Sequence, residues 1–224
     1  MARFVRNAVW WIRDYAYAAA WQIRAFASRR VPEDYPEGNG RPVVALPGIW
    51  ETWAFLRPIL DPLHRCGHPI HVIPGLGLNG RPIDRTAKDV AAYLAGHGLR
   101  GVAIVAHSKG GLIGKCVMTE LDPDGRVDRM VAVATPFGGS RYAPCMPLKS
   151  LREFSPQDAT VRRLSGRTDA NARITSVFGL FDPHIPEGSA LEGSANVPIG
   201  TGGHFRILGD PRTLAAVVAA VEAP

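Results

Sequence analysis

From Val43 onward, short apolar runs alternate with longer stretches in which apolar residues recur every three or four positions. The short runs predict strands at Val43–Leu46, Ile70–Ile73, Val102–Ala106, Met130–Ala134, Ile174–Phe178 and Asn196–Ile199. The longer stretches predict helices over Trp53–Cys66, Thr86–His97, Gly110–Thr119, a region within 148–165, and Pro211–Glu222. The strand runs are continuously apolar rather than alternating, which suits strands covered on both faces. Such a succession predicts an α/β fold, a mostly parallel sheet of about six strands flanked by helices, in one domain over residues 43–224. Ahead of it, VPEDYPEGNGRP (31–42) is rich in proline, glycine and acid and reads as a linker.

Residues 1–30 carry a helical period instead. At 100° per residue, Arg3, Arg6, Asn7, Arg13, Asp14 and Arg24 share one side; Val5, Ala8, Ile12, Ala16, Ala19, Ile23 and Phe26 share the other. This predicts an N-terminal amphipathic helix. Charge sharpens the contrast: the chain carries +6, and six arginines against Asp14 alone place +5 of it within residues 1–30. The main domain is therefore nearly neutral, which argues against nucleic acid as a partner. The longest uncharged run, Tyr15 to Ile23, is shorter than the about 20 residues a membrane span needs. Charges crowding that run also make a poor signal peptide. Three partners stay open for the helix: an anionic membrane surface, its own domain, or a second copy. The chain is read as cytoplasmic, with peripheral membrane contact through residues 1–30 among those alternatives. Cys66, Cys116 and Cys145 are too scattered for a disulfide framework or a zinc-ligand pattern.

In a parallel sheet, chemistry gathers at the carboxyl ends of the strands. The third strand runs into Ala106-His107-Ser108-Lys109-Gly110, a serine at a sharp strand-to-helix corner with small residues two positions to either side. There the serine hydroxyl is presented on a strained turn, with a helix N-terminus beneath it. The first strand ends in LPGIW, a turn that offers backbone N–H groups at the same edge. An oxyanion hole would take the N–H of Lys109 and that of Ile49, with Trp50 the weaker candidate for the second donor. Of seven histidines, His204 in the glycine-rich loop GTGGHF after the last strand is the candidate base. His184 is the runner-up, and His107 reads as a core residue. His64, His68 and His97 lie near helix ends, where solvated roles are usual. Asp182, on the loop after the fifth strand, is the candidate acid, whereas Asp169 lies at the wrong end of that strand. The Lys109 side chain is expected in solvent, with contact to an anionic headgroup as the alternative.

Taken together, these segments resemble the small bacterial α/β-hydrolase lipases and esterases over residues 42–222. LPGIW resembles the family's oxyanion turn with Pro47 in place of histidine, and AHSKGG its nucleophile elbow. ATPFGGS, LREFSPQDATVRRL and FDPHIPEGSA…GGHF are similar to the segments that follow in such enzymes. The resemblance implies a reduced α/β-hydrolase fold lacking the family's first two strands. It also implies carboxylic-ester hydrolysis by Ser108, His204 and Asp182, with no metal and no organic cofactor. An acyltransferase or thioesterase using the same residues, or a binding protein built on the same fold, stays open. So does a mobile lid within 137–172.

Overall fold

The computed structural model describes residues 2–27, 35 and 38–223. Most of the linker (31–34, 36 and 37), Arg29, Arg30 and the Arg3 side chain lie outside the described residues. Six strands form one sheet in the order β2-β1-β3-β4-β5-β6, every neighbouring pair parallel. They are β1 (Val43–Leu46), β2 (Ile70–Val72), β3 (Val102–His107), β4 (Val127–Val133), β5 (Ile174–Phe181) and β6 (Ala195–Gly202). The helices are α1 (Ala2–Ala27), α2 (Arg57–Arg65), α3 (Ile83–Gly96), α4 (Lys109–Cys116), α5 (Lys149–Arg152), α6 (Ala159–Ser165) and α7 (Pro211–Glu222).

The strands β1, β3, β4 and β5 each feed two cores, because successive side chains leave opposite faces of the sheet. Val44, Leu46, Ile104 and Ala106 meet α3, α4 and α6 on one face. Val43, Ala45, Ala103 and Val105 meet α2 and α7 on the other, where Ala18 and Trp21 of α1 also pack. That double coverage is why the strands read as apolar runs.

Differences from the expected boundaries have physical causes. The strand expected at Asn196–Ile199 extends to Ala195–Gly202 although it holds Pro198 and Gly200, because β6 is an edge strand and Pro198 owes the ladder no N–H on its open side. The helical region within 148–165 splits into α5 and α6 around Ser155 and Pro156. Within 137–172 the Ser140 N–H donates to Phe154 O (2.7 Å), and Glu153 accepts from the Ile83 N–H (2.8 Å).

Strand order reverses at β1: β2 lies on one side of it and β3 to β6 on the other. The loops leaving β1 and β3 therefore part company at one point on the sheet edge, where an open α/β sheet forms its crevice.

Behind that crevice, α4 holds one poorly matched group. Lys115 is 1% exposed, and its ammonium has no hydrogen-bond partner among the described residues. Burial, opposed in part by Asp169, pushes its pKa down to about 8. A lysine whose pKa is lower in the folded chain destabilises the fold while protonated, so stability should rise as pH climbs from about 8 towards the unfolded value near 10.4. Lys115→Met is expected to raise Tm at pH 7 by about 2–4 °C per kcal/mol gained. Calorimetry across pH should show that gap closing between about pH 8 and 10.

Candidate active site

Ser108 sits at the corner between β3 and α4 with φ 50° and ψ −117°, a conformation that L-residues rarely adopt. Close packing on both sides holds it there. A Cβ on Gly110 would lie 2.0 Å from the Leu46 carbonyl oxygen, and one on Gly111 would lie 2.0 Å from Thr135 Oγ1. Only glycine lets α4 start this close to the ends of β1 and β4. The Ser108 N–H donates to Val133 O (2.9 Å), and Thr135 Oγ1 donates to Ser108 O (3.1 Å).

Beside the corner, the turn after β1 is stapled by Glu51, whose carboxylate accepts from the Gly48 N–H (2.7 Å). Ile49 lines the cavity that holds Ser108, and its N–H makes no hydrogen bond among the described residues. The Trp50 N–H is spent on Leu78 O (2.7 Å), which removes Trp50 as the alternative donor. The Lys109 N–H opens α4, where the first turn has no intrahelical partner for it.

Asp182 follows β5. Its Oδ1 accepts from the N–H groups of His184 (2.8 Å) and Ile185 (3.1 Å), leaving Oδ2 to face His204 Nδ1 at 2.7 Å. His204 follows β6, and its Nε2 lies 2.9 Å from Ser108 Oγ. A bond from the Gly203 N–H to Phe181 O (2.8 Å) ties the two loops to each other. Burial alone would raise the Asp182 carboxyl, but the charge and hydrogen bond of His204 and the His184 N–H outweigh it and hold its pKa below the usual carboxylate value. Burial alone would lower the His204 imidazole, yet Asp182, aided by Asp14 and Glu51, holds its pKa above the ordinary value. His184 points elsewhere: its Nε2 meets Tyr15 Oη at 3.1 Å, and burial together with the neighbouring His204 pushes its pKa down to about 4.

Ser108 and His204 lie in a cavity of about 590 Å³, walled by apolar side chains that include Ile49, Trp11, Leu151, Phe154 and Ile185.

No family model matches the chain, and no curated protein is similar to it in sequence. Solved structures do match. The mature form of the Bacillus licheniformis lipase BlEst2 superposes with a TM-score of 0.66 at 14% identity, over 83% of this chain and 94% of that one. Lipase B of Aspergillus fumigatus gives 0.65 at 18% identity, over 84% of this chain and 53% of that one. The mouse alpha/beta hydrolase domain-containing protein 10 gives 0.59 at 12% identity, over 84% and 90%. The chain has the α/β-hydrolase fold.

Around the strand ends of this α/β-hydrolase fold, several residues take roles that their local sequence does not suggest. Asp14, expected beside the arginines on the polar side of α1, is instead fully buried. Its carboxylate accepts three backbone N–H groups of the histidine loop, from His204 (2.9 Å), Phe205 (2.8 Å) and Arg206 (2.8 Å). Gly203 makes room for it, since a Cβ there would lie 2.4 Å from Asp14 Oδ1. The helix also reaches the turn after β1, where Gln22 Nε2 donates to Trp50 O (2.9 Å). His107 is a core residue as expected, but a bonded one: Nδ1 faces Glu51 (2.9 Å) and Nε2 faces the His204 carbonyl (3.0 Å). His68, expected in solvent, is buried with Nδ1 at Arg41 O (3.0 Å).

Lys109 corrects a further expectation. Its side chain is fully buried rather than solvated, with Nζ donating to Arg81 O (2.5 Å) and paired with Glu153 (3.2 Å). Burial pushes its pKa down against the pull of Glu153. The lysine thus anchors the region 137–172 to the start of α4.

Asp14→Asn is expected to act on His204 as well as on stability. An amide offers one oxygen where the carboxylate offers two, so a buried N–H loses its acceptor at a cost of about 1–3 kcal/mol. Because the Asp14 charge raises the His204 pKa, its removal should shift the imidazole titration to lower pH. Nuclear magnetic resonance of the histidine ring checks this directly. A fall in Tm with an unmoved titration would leave Asp14 only a structural role.

Proposed function

We propose that the chain is a serine hydrolase of carboxylic esters that works through an acyl-enzyme. The observation that carries this reading is the continuous line Asp182–His204–Ser108, with contacts of 2.7 and 2.9 Å, at an apolar cavity. Among the functions the fold hosts, it is this line of groups that favours acyl transfer to serine.

In this reading His204 Nε2 takes the proton from Ser108 Oγ as the oxygen attacks the ester carbonyl. Asp182 keeps the Nδ1 proton in place and stabilises the imidazolium. The N–H groups of Ile49 and Lys109 donate to the developing oxyanion, each such donor being worth on the order of 3 kcal/mol. The protonated His204 then gives its proton to the departing alcohol, leaving the acyl group on Ser108. Water, deprotonated by the same imidazole, releases the acid. The apolar walls suit an acyl chain better than a charged one.

His204 must be neutral to act as base, and its pKa is raised in the fold. The rate kcat/KM should therefore rise with pH through a single limb centred above about 6.5, the ordinary histidine value. His184, held near 4, adds no limb between pH 5 and 8. Hydrolysis of a short p-nitrophenyl ester measures that profile. Fluorophosphonate is expected to label Ser108, and Ser108→Ala to abolish the label. Asp182→Asn should keep the fold and lower kcat by about 10⁴-fold. Full turnover by Ser108→Ala would overturn the proposal.

A further inference from the structure

Two faces of α1 are already occupied. The Asp14 face is seated on the domain, with Trp10 stacked against Phe181 and Trp21 against the core. On the next flank, Trp11 and Tyr15 line the cavity of Ser108 while staying 49% and 42% exposed. Among the described residues, the opposite face is unpartnered. Val5, Ile12, Ile23 and Phe26 are 57 to 69% exposed, with Ala16 and Ala19 open to solvent between them. No polar residue interrupts this stripe from Val5 to Phe26, a length of about 30 Å at 1.5 Å per residue. The remaining flank carries Arg6, Arg13 and Arg24, all exposed. Arg6 and Arg24 lie over the rings of Trp10 and Trp21, at 4.8 and 5.4 Å from their centroids.

We infer that this stripe is a docking face for an anionic lipid bilayer. A soluble surface rarely leaves so long an apolar strip in water without a partner. Charge selects the partner. The stripe is edged by arginines, and the segment's one acid, Asp14, is sealed in the body, so the exposed helix presents only positive charge. An anionic lipid surface complements both features at once, whereas a second copy would bring its own arginines to meet these. No described helix is long and apolar enough to cross a membrane, so the helix lies in the interface. Trp11 and Tyr15 then stand between bilayer and cavity, and an acyl ester held in the leaflet reaches Ser108 past them. This deepens the ester-hydrolase reading and rests on it for the fate of the substrate; the docking itself does not.

Removing residues 1–30 would also remove Asp14, Trp11 and Tyr15, so point substitutions on the outward face give the cleaner test. The full chain and the Ile12→Glu/Ile23→Glu variant are sedimented with vesicles of phosphatidylcholine, with and without phosphatidylglycerol. The parent should bind the anionic vesicles, less so as salt rises, and the variant should lose at least about tenfold in binding. The variant should keep its Tm and its turnover of a short soluble ester, yet lose turnover of a long-chain ester embedded in the vesicles. Equal binding by both proteins, or none by the parent, overturns the inference. So does a lipid-free dimer, seen by light scattering, that the two glutamates dissolve, for the stripe then belongs to a second copy. Because sedimentation reads binding alone, failure of the hydrolase reading would show separately, as turnover surviving Ser108→Ala.

Discussion

The backbone at the start of α4 runs in direct contact with the ends of β1 and β4. With no Cβ at Gly110 or Gly111, the helix starts in contact with the Leu46 carbonyl and Thr135. That contact forces Ser108 into a left-handed conformation and presents its hydroxyl above the sheet edge. A buried parallel sheet can sustain such strain because its neighbours fix the corner, here β4 and the turn after it through Val133 O and Thr135 Oγ1. Once the corner is set, the loops after β5 and β6 need only reach over it.

The reach is braced from a distant part of the chain. One carboxylate on α1 gathers three N–H groups of the His204 loop, and Gln22 holds the turn after β1. Glu51 and His107 join that turn to the His204 carbonyl from below. The imidazole is thus held through its own backbone N–H and C=O as well as through its ring. Satisfying buried backbone groups with charged partners is among the stronger ways to fix a loop. It makes α1 a wall of the cavity and a clamp on the histidine loop at once, while its outward stripe stays exposed.

Much of this was legible in the chain itself because the signals are local. Apolar runs bounded by turns marked the six strands, and Ser108, Asp182 and His204 each lie within two residues of a strand end. What stayed hidden depends on partners far away in sequence. Asp14 among arginines looks like part of a solvated face; it is buried where it accepts backbone N–H groups 190 to 192 residues later. Helical periodicity correctly separated two sides of α1 but could not say which one packs, since Trp10 and Trp21 flank the polar side and carry the apolar contact there. Lys109 follows the same logic: most lysines are solvated, and only Glu153 and the Arg81 carbonyl explain this exception. The extra length of β6 was masked by Pro198 and Gly200, which an edge strand tolerates.

In the proposed reaction one hydroxyl, at a strained corner, carries the acyl group between substrate and water. Acid quenching during turnover of a slowly released p-nitrophenyl ester, followed by peptide mass spectrometry, tests it directly. A burst of p-nitrophenol close to one equivalent per chain is expected, with an acyl mass on the peptide bearing Ser108. Turnover with no burst and no adduct, or an adduct confined to another residue, would contradict it.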